Sequence, residues 1–329
     1  MRVAFARRAF VAAASLLHGV LRTLNERAMG EVRIGVDFGG TKIEAAALDA
    51  QGDYLLRRRV PNPGDYAGAL TAVRELVASL EAQVGRATSV GMGVPGSISP
   101  RTGMMRNANT QWLNGRNLRA DIAASLEREV LLANDANCLA LSEALDGAAQ
   151  GAKVAVAIIL GTGCGGGIAI EGRLVEGANG IAGELGHISL PWPRGSELDA
   201  PPCWCGQRGC VELWISGSGM QRDFAAVNGY RLEAPAIVQA ARAGTPEARD
   251  ALDRYIDRLG RTLAMVCNLL DPDTIVLGGG MSNVMELYAR VPEVIRRHVF
   301  SDAWSAQLVP ARWGDSSGVR GAARLYRGS

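Results

Sequence analysis

Cys203-Trp204-Cys205-Gly206-Gln207-Arg208-Gly209-Cys210 places three thiols within eight residues. Two glycines let the backbone fold back so that the sulfurs converge, a spacing that suits thiolate ligation of a metal ion. His187, upstream in Gly183-Glu184-Leu185-Gly186-His187, can complete a tetrahedral Cys3His shell, for which structural Zn2+ is the natural occupant. A closed four-ligand shell has no room for the carboxylates of the same elements, Glu184 and Glu212. They are left to grip something else, and their chemistry suits the hydroxyls of a polyhydroxy substrate.

A second chemistry is written in glycine. The chain has 41 of them, well above the average of roughly 7%, and they gather where predicted strands end. Gly39-Gly40-Thr41 follows Asp37, and Gly161-Thr162-Gly163-Cys164-Gly165-Gly166-Gly167 holds the matching place in the second half of the chain. Gly161, Gly163 and Gly166 satisfy G-x-G-x-x-G, but a strand pattern follows them instead of the helix that a dinucleotide site requires. Two bare-amide turns, one from each half, can instead clamp phosphates between them. Asp37 is then placed to hold hydrated Mg2+, and Gly278-Gly279-Gly280, at a helix start, to meet a nucleoside. Asp135 lies where a strand gives way to a helix, and sequence alone leaves it either an N-cap or a group that acts on a ligand. The amides and indole of Asn107-Ala108-Asn109-Thr110-Gln111-Trp112 either form turns, which composition favours, or line a site.

These residues need a frame. Residues 32–37, 42–48 and 54–60 read as a three-stranded antiparallel meander. Leu70, Val73, Leu76, Val77 and Leu80 have helical spacing within 65–84, and 89–94 returns to strand. This β-β-β-α-β order departs from the strand–helix alternation of a Rossmann half. A helix is expected at 118–129, a buried strand at 130–133 and a helix at 134–149. The second half repeats the opening with a strand at 154–160, a glycine turn at 161–167, a strand at 168–170 and a short one at 174–176. Two such meanders imply two similar domains facing each other, with the cysteine stretch inserted after the second. A long helix at 247–270, a core strand at 274–277, a helix through Leu287 and Val291, a strand near Leu308 and a helix at 317–326 follow.

A length of 329 residues suits two α/β domains. Net charge is +2, and the first 28 residues carry five arginines against one glutamate, so the remainder is slightly acidic. Nothing there asks for nucleic acid or an anionic membrane, and no apolar run reaches the ~18 residues needed to span a bilayer. Cys138, Cys164 and Cys267 sit in apolar or glycine-rich contexts, as reduced cytoplasmic thiols do. Residues 1–29 imitate a transit peptide, but no small-residue cleavage site follows, and Met29-Gly30 stands directly before the first strand. They are expected to be an extension that is disordered or not translated.

Gly35-Val36-Asp37-Phe38-Gly39-Gly40-Thr41-Lys42, Ala133-Asn134-Asp135-Ala136-Asn137, Gly161-Thr162-Gly163-Cys164-Gly165, Gly183-Glu184-Leu185-Gly186-His187, the Cys-x-Cys-Gly-x-x-Gly-Cys-x-Glu stretch and Gly278-Gly279-Gly280 together resemble a sugar kinase of the ROK family. Within that family the likeness is greatest to the bacterial fructokinases, or manno(fructo)kinases. It implies an α/β, two-lobed actin/hexokinase-like (ribonuclease H-like) ATPase fold with a zinc-binding insertion. The small lobe would span 30–131, with 315–329 returning to it, and the large lobe 132–314, with a zinc loop at 187–210. The resemblance makes Asp135 the catalytic base and puts Asn109, Asn134, Asp135, Glu184, His187 and Glu212 at the sugar. Gly35, Asp37, Gly39, Gly40, Thr41, Lys42, Gly161, Thr162, Gly163, Gly165, Gly278, Gly279 and Gly280 fall to ATP and Mg2+. His187, Cys203, Cys205 and Cys210 fall to structural Zn2+.

The implied protein is a cytoplasmic homodimer, without nucleic-acid or membrane partners, that phosphorylates a hexose. D-Fructose, giving fructose 6-phosphate, is the expected acceptor and mannose the second, because 93–100 and 107–115 look like the fructokinase branch. A polar pocket of Asn109, Glu184, His187 and Glu212 also shows no apolar slot for an N-acetyl methyl. Kinases of glucose or N-acetylglucosamine, and a non-catalytic sugar-sensing regulator, are the alternatives. The N-terminal extension is too short for the helix-turn-helix domain of ROK repressors.

Overall fold

The computed structural model describes residues 31–314 and 317–325, so the expected N-terminal extension lies outside the described residues. β1 (Arg33–Phe38) and β2 (Lys42–Leu48) are buried on both faces, whereas β3 (Tyr54–Pro61) is a largely exposed edge. Burial on both faces marks strands covered by helices on either side. α1 (Tyr66–Val84) starts where Asp65 accepts the Gly68 N–H at 2.9 Å, and its stripe of Ala69, Val73, Leu76, Val77 and Leu80 packs on β2 and β3. β4 (Ser89–Val94), the short pair β5 (Ser97–Ile98) and β6 (Met105–Arg106), α2 (Leu118–Leu126) and β7 (Leu131–Asn134) complete the first half. Its sheet has the order β3-β2-β1-β4-β7, with β1, β4 and β7 parallel and β2 and β3 added as an antiparallel meander.

α3 (Asp135–Asp146) leads to β8 (Val154–Leu160), β9 (Cys164–Ile170) and β10 (Arg173–Leu174). The insertion follows, then α4 (Glu212–Ile215), α5 (Gly217–Asn228), α6 (Ala234–Ala243) and α7 (Pro246–Leu270). β11 (Thr274–Gly278), α8 (Glu286–Arg296), β12 (Gln307–Pro310) and α9 (Ser317–Ala323) end the described chain. The second sheet runs β10-β9-β8-β11-β12, strand for strand the arrangement of the first. This duplication is the two-lobed actin/hexokinase-like fold that the resemblance implies. Each sheet has its own core, one around Ile34, Val36, Ile43 and Leu80, the other around Val156, Ile158, Leu259 and Ile275.

Between the sheets, α3 crosses α9. Gly321 permits the crossing, since a Cβ there would lie 1.8 Å from the Cys138 carbonyl oxygen. At the far end of α3, buried Glu143 accepts the Ser317 hydroxyl at 2.8 Å, and Asp146 pairs with Arg320 at 2.6 Å. The helix that begins with Asp135 is therefore tied at its other end to α9, which packs on β1 and β4.

The run 161–167 differs from expectation. Only 161–163 turn, and Cys164–Ile170 is strand. The reason is close approach on both sides: a Cβ on Gly166 would stand 2.5 Å from Gly183 O, and one on Gly167 2.3 Å from Ala136 O. Helices expected to reach 129, 149 and 326 stop at Leu126, Asp146 and Ala323, and the strand expected at 174–176 is Arg173–Leu174.

Candidate active site

α3 starts at the end of β7, and the side chain that caps it is that of Asn134, whose Oδ1 accepts the Asn137 N–H at 2.8 Å. Asp135, with its Oδ1 on the Ala136 N–H at 2.8 Å, is thus the first residue of the helix and not its cap. A Cβ on Gly165 would lie 4.0 Å from Asp135 Oδ1, so the bare start of β9 faces this carboxylate. Burial, and then the negative charge of Glu184, push the Asp135 carboxyl above its ordinary range, against the pull of the Ala136 N–H. Asp37, at the end of β1, is pushed up to about 7 by burial and by the charges of Asp135 and Glu44, against Lys42 and Arg59. Asp37, Asp135 and Glu184, from three separate elements, therefore share one electrostatic environment. Both aspartates keep part of their surface exposed.

The two glycine turns follow β1 and β8. Gly40 and Thr41 are exposed, and Asn62 holds their turn by donating its Nδ2 to Gly39 O at 2.8 Å and its N–H to Thr41 O at 2.9 Å. The turn at 161–163 is closed by the Gly161 N–H on Gly163 O at 3.0 Å and braced by the Gly217 N–H, at the start of α5, on Gly161 O at 2.7 Å. No heavy atom would lie within 4 Å of a Cβ on Gly161 or Gly280, so the backbone is open on that side at these two positions. Gly279, with φ 78°, rests against Leu160 and brings the third glycine cluster beside the second turn. Gly35 and Gly278 lie within strands, facing α9 and Leu139, and Gly165 lies in β9 facing Asp135, so these three stand outside the turns themselves. Lys42 is the first residue of β2.

His187, Cys203, Cys205 and Cys210 converge, with ligand atoms all within 4.8 Å of one another. Zn–S bonds of about 2.3 Å in a tetrahedron put sulfurs about 3.8 Å apart. Cys205 Sγ and Cys210 Sγ are 3.5 Å apart, and Cys203 Sγ lies 3.8 Å from His187 Nδ1, so the donor set fits Zn2+. The glycines of the 183–187 segment bring it there: a Cβ on Gly186 would stand 2.1 Å from Cys164 O.

Glu212 joins this cluster to the 161–163 turn. Its Oε1 accepts the Trp204 indole N–H at 2.8 Å, and its Oε2 accepts the Cys164 backbone N–H at 3.0 Å. Trp204 is absent from the residues singled out by sequence; its place between two clustered thiols is the signal that could have found it. Asn109 is exposed on the loop beside the first turn, where Thr110 Oγ1 would lie 3.4 Å from a Cβ on Gly40. In the same loop Asn114 accepts the Ala108 N–H at 2.9 Å, and Trp112 packs edge-on to Phe38 at 6.0 Å, so turn-forming and core packing account for both.

A groove of about 850 Å³ lies between the halves, lined among others by Arg33, Ser97, Ile98, Gly177 and Arg324; of the residues that sequence assigns to the sugar, its lining includes Asn134 alone. Arg106 spans its rim, donating to Ser97 Oγ at 3.2 Å and to Asn179 O, on the other half, at 2.9 Å.

Two clamping turns, a shared carboxylate environment at a helix start and a cysteine cluster braced against one turn can align a phosphate donor with a hydroxyl acceptor. The chain is 41% identical over 297 residues, 89% of its length and 98% of the relative's, to the N-acetyl-D-glucosamine kinase of Pectobacterium atrosepticum. Its structure resembles the ROK hexokinase of Thermus thermophilus, with TM-score 0.78 and 32% identity over 89% of this chain and 96% of that one. It also resembles a ROK family glucokinase of Streptomyces griseus, solved with glucose and AMPPNP, with TM-score 0.73 and 31% identity over 90% and 99%. Residues 33–329 match the ROK family as a whole, and the chain belongs to that family.

Proposed function

We propose that this chain is an ATP-dependent hexose kinase whose preferred acceptor is N-acetyl-D-glucosamine. The observation that carries the kinase reading is the placement of Asp135 at the helix start, capped by its neighbour, facing the bare start of β9 directly after the 161–163 turn. Phosphoryl transfer asks a protein for position and charge neutralisation more than for covalent chemistry. Asp135 removes the proton of the attacking hydroxyl, and a carboxyl raised above its ordinary range is a better base for that purpose. The amides of 39–41 and 161–163 hold phosphate oxygens. Asp37 fits a hydrated Mg2+, which when bound neutralises charge on the transferring phosphate. Closure of the two halves would exclude water that otherwise hydrolyses ATP.

The acceptor follows from the relatives. The whole-chain likeness is to N-acetyl-D-glucosamine kinases, which favours an alternative over the fructose expected from 93–100 and 107–115. Asn109, Asn134, Glu184, His187 and Glu212 remain the residues assigned to the sugar.

Structural Zn2+ in the Cys3His cluster, a homodimer and a cytoplasmic setting belong to the same proposal. Among the described residues no helix is long and apolar enough to cross a membrane. The return of the C-terminal segment to the first lobe is supported by α9 packing on β1 and β4, whereas the expected boundary between 131 and 132 falls inside β7, which pairs with β4 in the first sheet, so the first lobe extends to the end of β7. Phosphorus NMR of a reaction with ATP, Mg2+ and N-acetyl-D-glucosamine tests the reading. One new phosphomonoester resonance that appears with ADP is the expected result, and ADP with no sugar phosphate would overturn it.

A further inference from the structure

Glu212 is held on both oxygens. Oε2 lies flush against the phosphate turn: it takes the Cys164 N–H at 3.0 Å, and a Cβ on Gly163 would stand 2.6 Å from it. Oε1 takes the indole N–H of Trp204 at 2.8 Å. The indole is itself fixed from the other side, edge-on to the His187 ring at 4.9 Å and 86°, between Cys203 and Cys205 of the cysteine hairpin. Yet Trp204 is 57% exposed, more than any other tryptophan in the described residues, so burial of its ring is not what keeps it in place. One residue beyond Cys164, Gly165 faces Asp135.

A carboxylate offers about four acceptor directions on its two oxygens. With one used on each, Glu212 still has acceptors to offer a ligand hydroxyl, in an orientation that neither oxygen can leave. We infer that Trp204 is a positioning residue for the acceptor sugar: it locks Glu212 between the cysteine hairpin and the phosphate turn so that the remaining lone pairs meet a sugar hydroxyl. This rests on the kinase reading above. The same contact gives the cysteine hairpin a route to the sugar besides His187.

A double-mutant cycle of Trp204→Phe and Glu212→Ala, followed by steady-state kinetics with N-acetyl-D-glucosamine and ATP, tests the inference. Trp204→Phe keeps the ring and removes the donor. It is expected to raise the sugar KM about tenfold, the loss suited to a hydrogen bond on a charged group, while kcat falls less than about threefold, and zinc content and melting stay at wild-type values. Trp204→Gln, which restores an N–H donor, is expected to recover part of that affinity. The double variant is expected to be no worse than Glu212→Ala alone, because both changes break one contact. Additive losses, or a Trp204→Phe protein with wild-type sugar KM, overturn the inference while leaving the kinase reading intact. Wild-type protein that turns over no hexose removes both.

Discussion

Asn134 caps the helix that Asp135 begins: Asn134 Oδ1 accepts the Asn137 N–H at 2.8 Å, so the capping bond does not draw on the Asp135 carboxylate. Removing the cap by Asn134→Ala is expected to cost about 1 kcal/mol of stability, whereas Asn134→Ser should retain most of it. Urea denaturation of both variants decides the matter. An alanine variant as stable as wild type would mean that some other group satisfies the first turn of α3.

Asp135→Asn is expected to lower kcat by about 10^2 to 10^4, the span for a lost general base, with folding intact. It should also make the protein more stable at neutral pH. Because the folded state raises the Asp135 pKa, the native chain binds a proton more tightly than the unfolded one, and ionising this carboxyl costs stability as pH rises above the unfolded value of 3.8. That cost is relieved below 3.8, so the gap between variant and wild type should close in acid. The acid limb of the wild-type kcat profile should likewise lie above the ordinary carboxylate range. Retention of more than about a third of wild-type kcat would take Asp135 out of the chemistry.

The cysteine cluster is expected to hold one zinc per chain. Cys205→Ala should lose it and raise the sugar KM, and the bond from Glu212 to the Cys164 N–H carries part of the disturbance to the phosphate turn. Elemental analysis of purified wild type without zinc, or a Cys205→Ala protein with unchanged metal content, would contradict the Cys3His assignment.

Gly186→Ala tests the close packing that brings this segment to β9. Its Cβ would meet the Cys164 carbonyl oxygen at 2.1 Å, and backbone cannot swing away as a side-chain tip can. A loss of ~1–3 kcal/mol or more is expected, read as a lower thermal midpoint together with a higher sugar KM. A variant that melts with wild type would show that the 183–187 segment sits farther from β9.

The duplicated meander is legible in sequence because alternation and turn residues are local signals, and both halves carry them at matching places. Cys203, Cys205 and Cys210 are legible for the same reason, as spacing within one hairpin. Gly165, Gly166 and Gly167 are not: they read as a turn, while their purpose is the approach of Ala136 and Gly183, which nothing in the run itself announces. Asp135 stays ambiguous until the Asn134 cap is seen. Trp204 and Glu212 are eight positions apart in an irregular stretch, where no periodicity brings a donor to an acceptor. The acceptor sugar is least legible, because residues 93–100 and 107–115 resemble one branch of the family while the chain as a whole is most like kinases of another acceptor among those compared.

The acceptor ranking tests the central claim most directly. Coupled ADP release with N-acetyl-D-glucosamine, glucose, mannose and fructose, at fixed ATP and Mg2+, gives kcat/KM for each. Buried polar groups left unpaired by the wrong sugar can reject it by ~10^4, so a steep order headed by N-acetyl-D-glucosamine is the expected result. A kcat/KM for fructose or mannose equal to or above that for N-acetyl-D-glucosamine would contradict the acceptor assignment, and ADP release that no sugar accelerates would contradict the kinase.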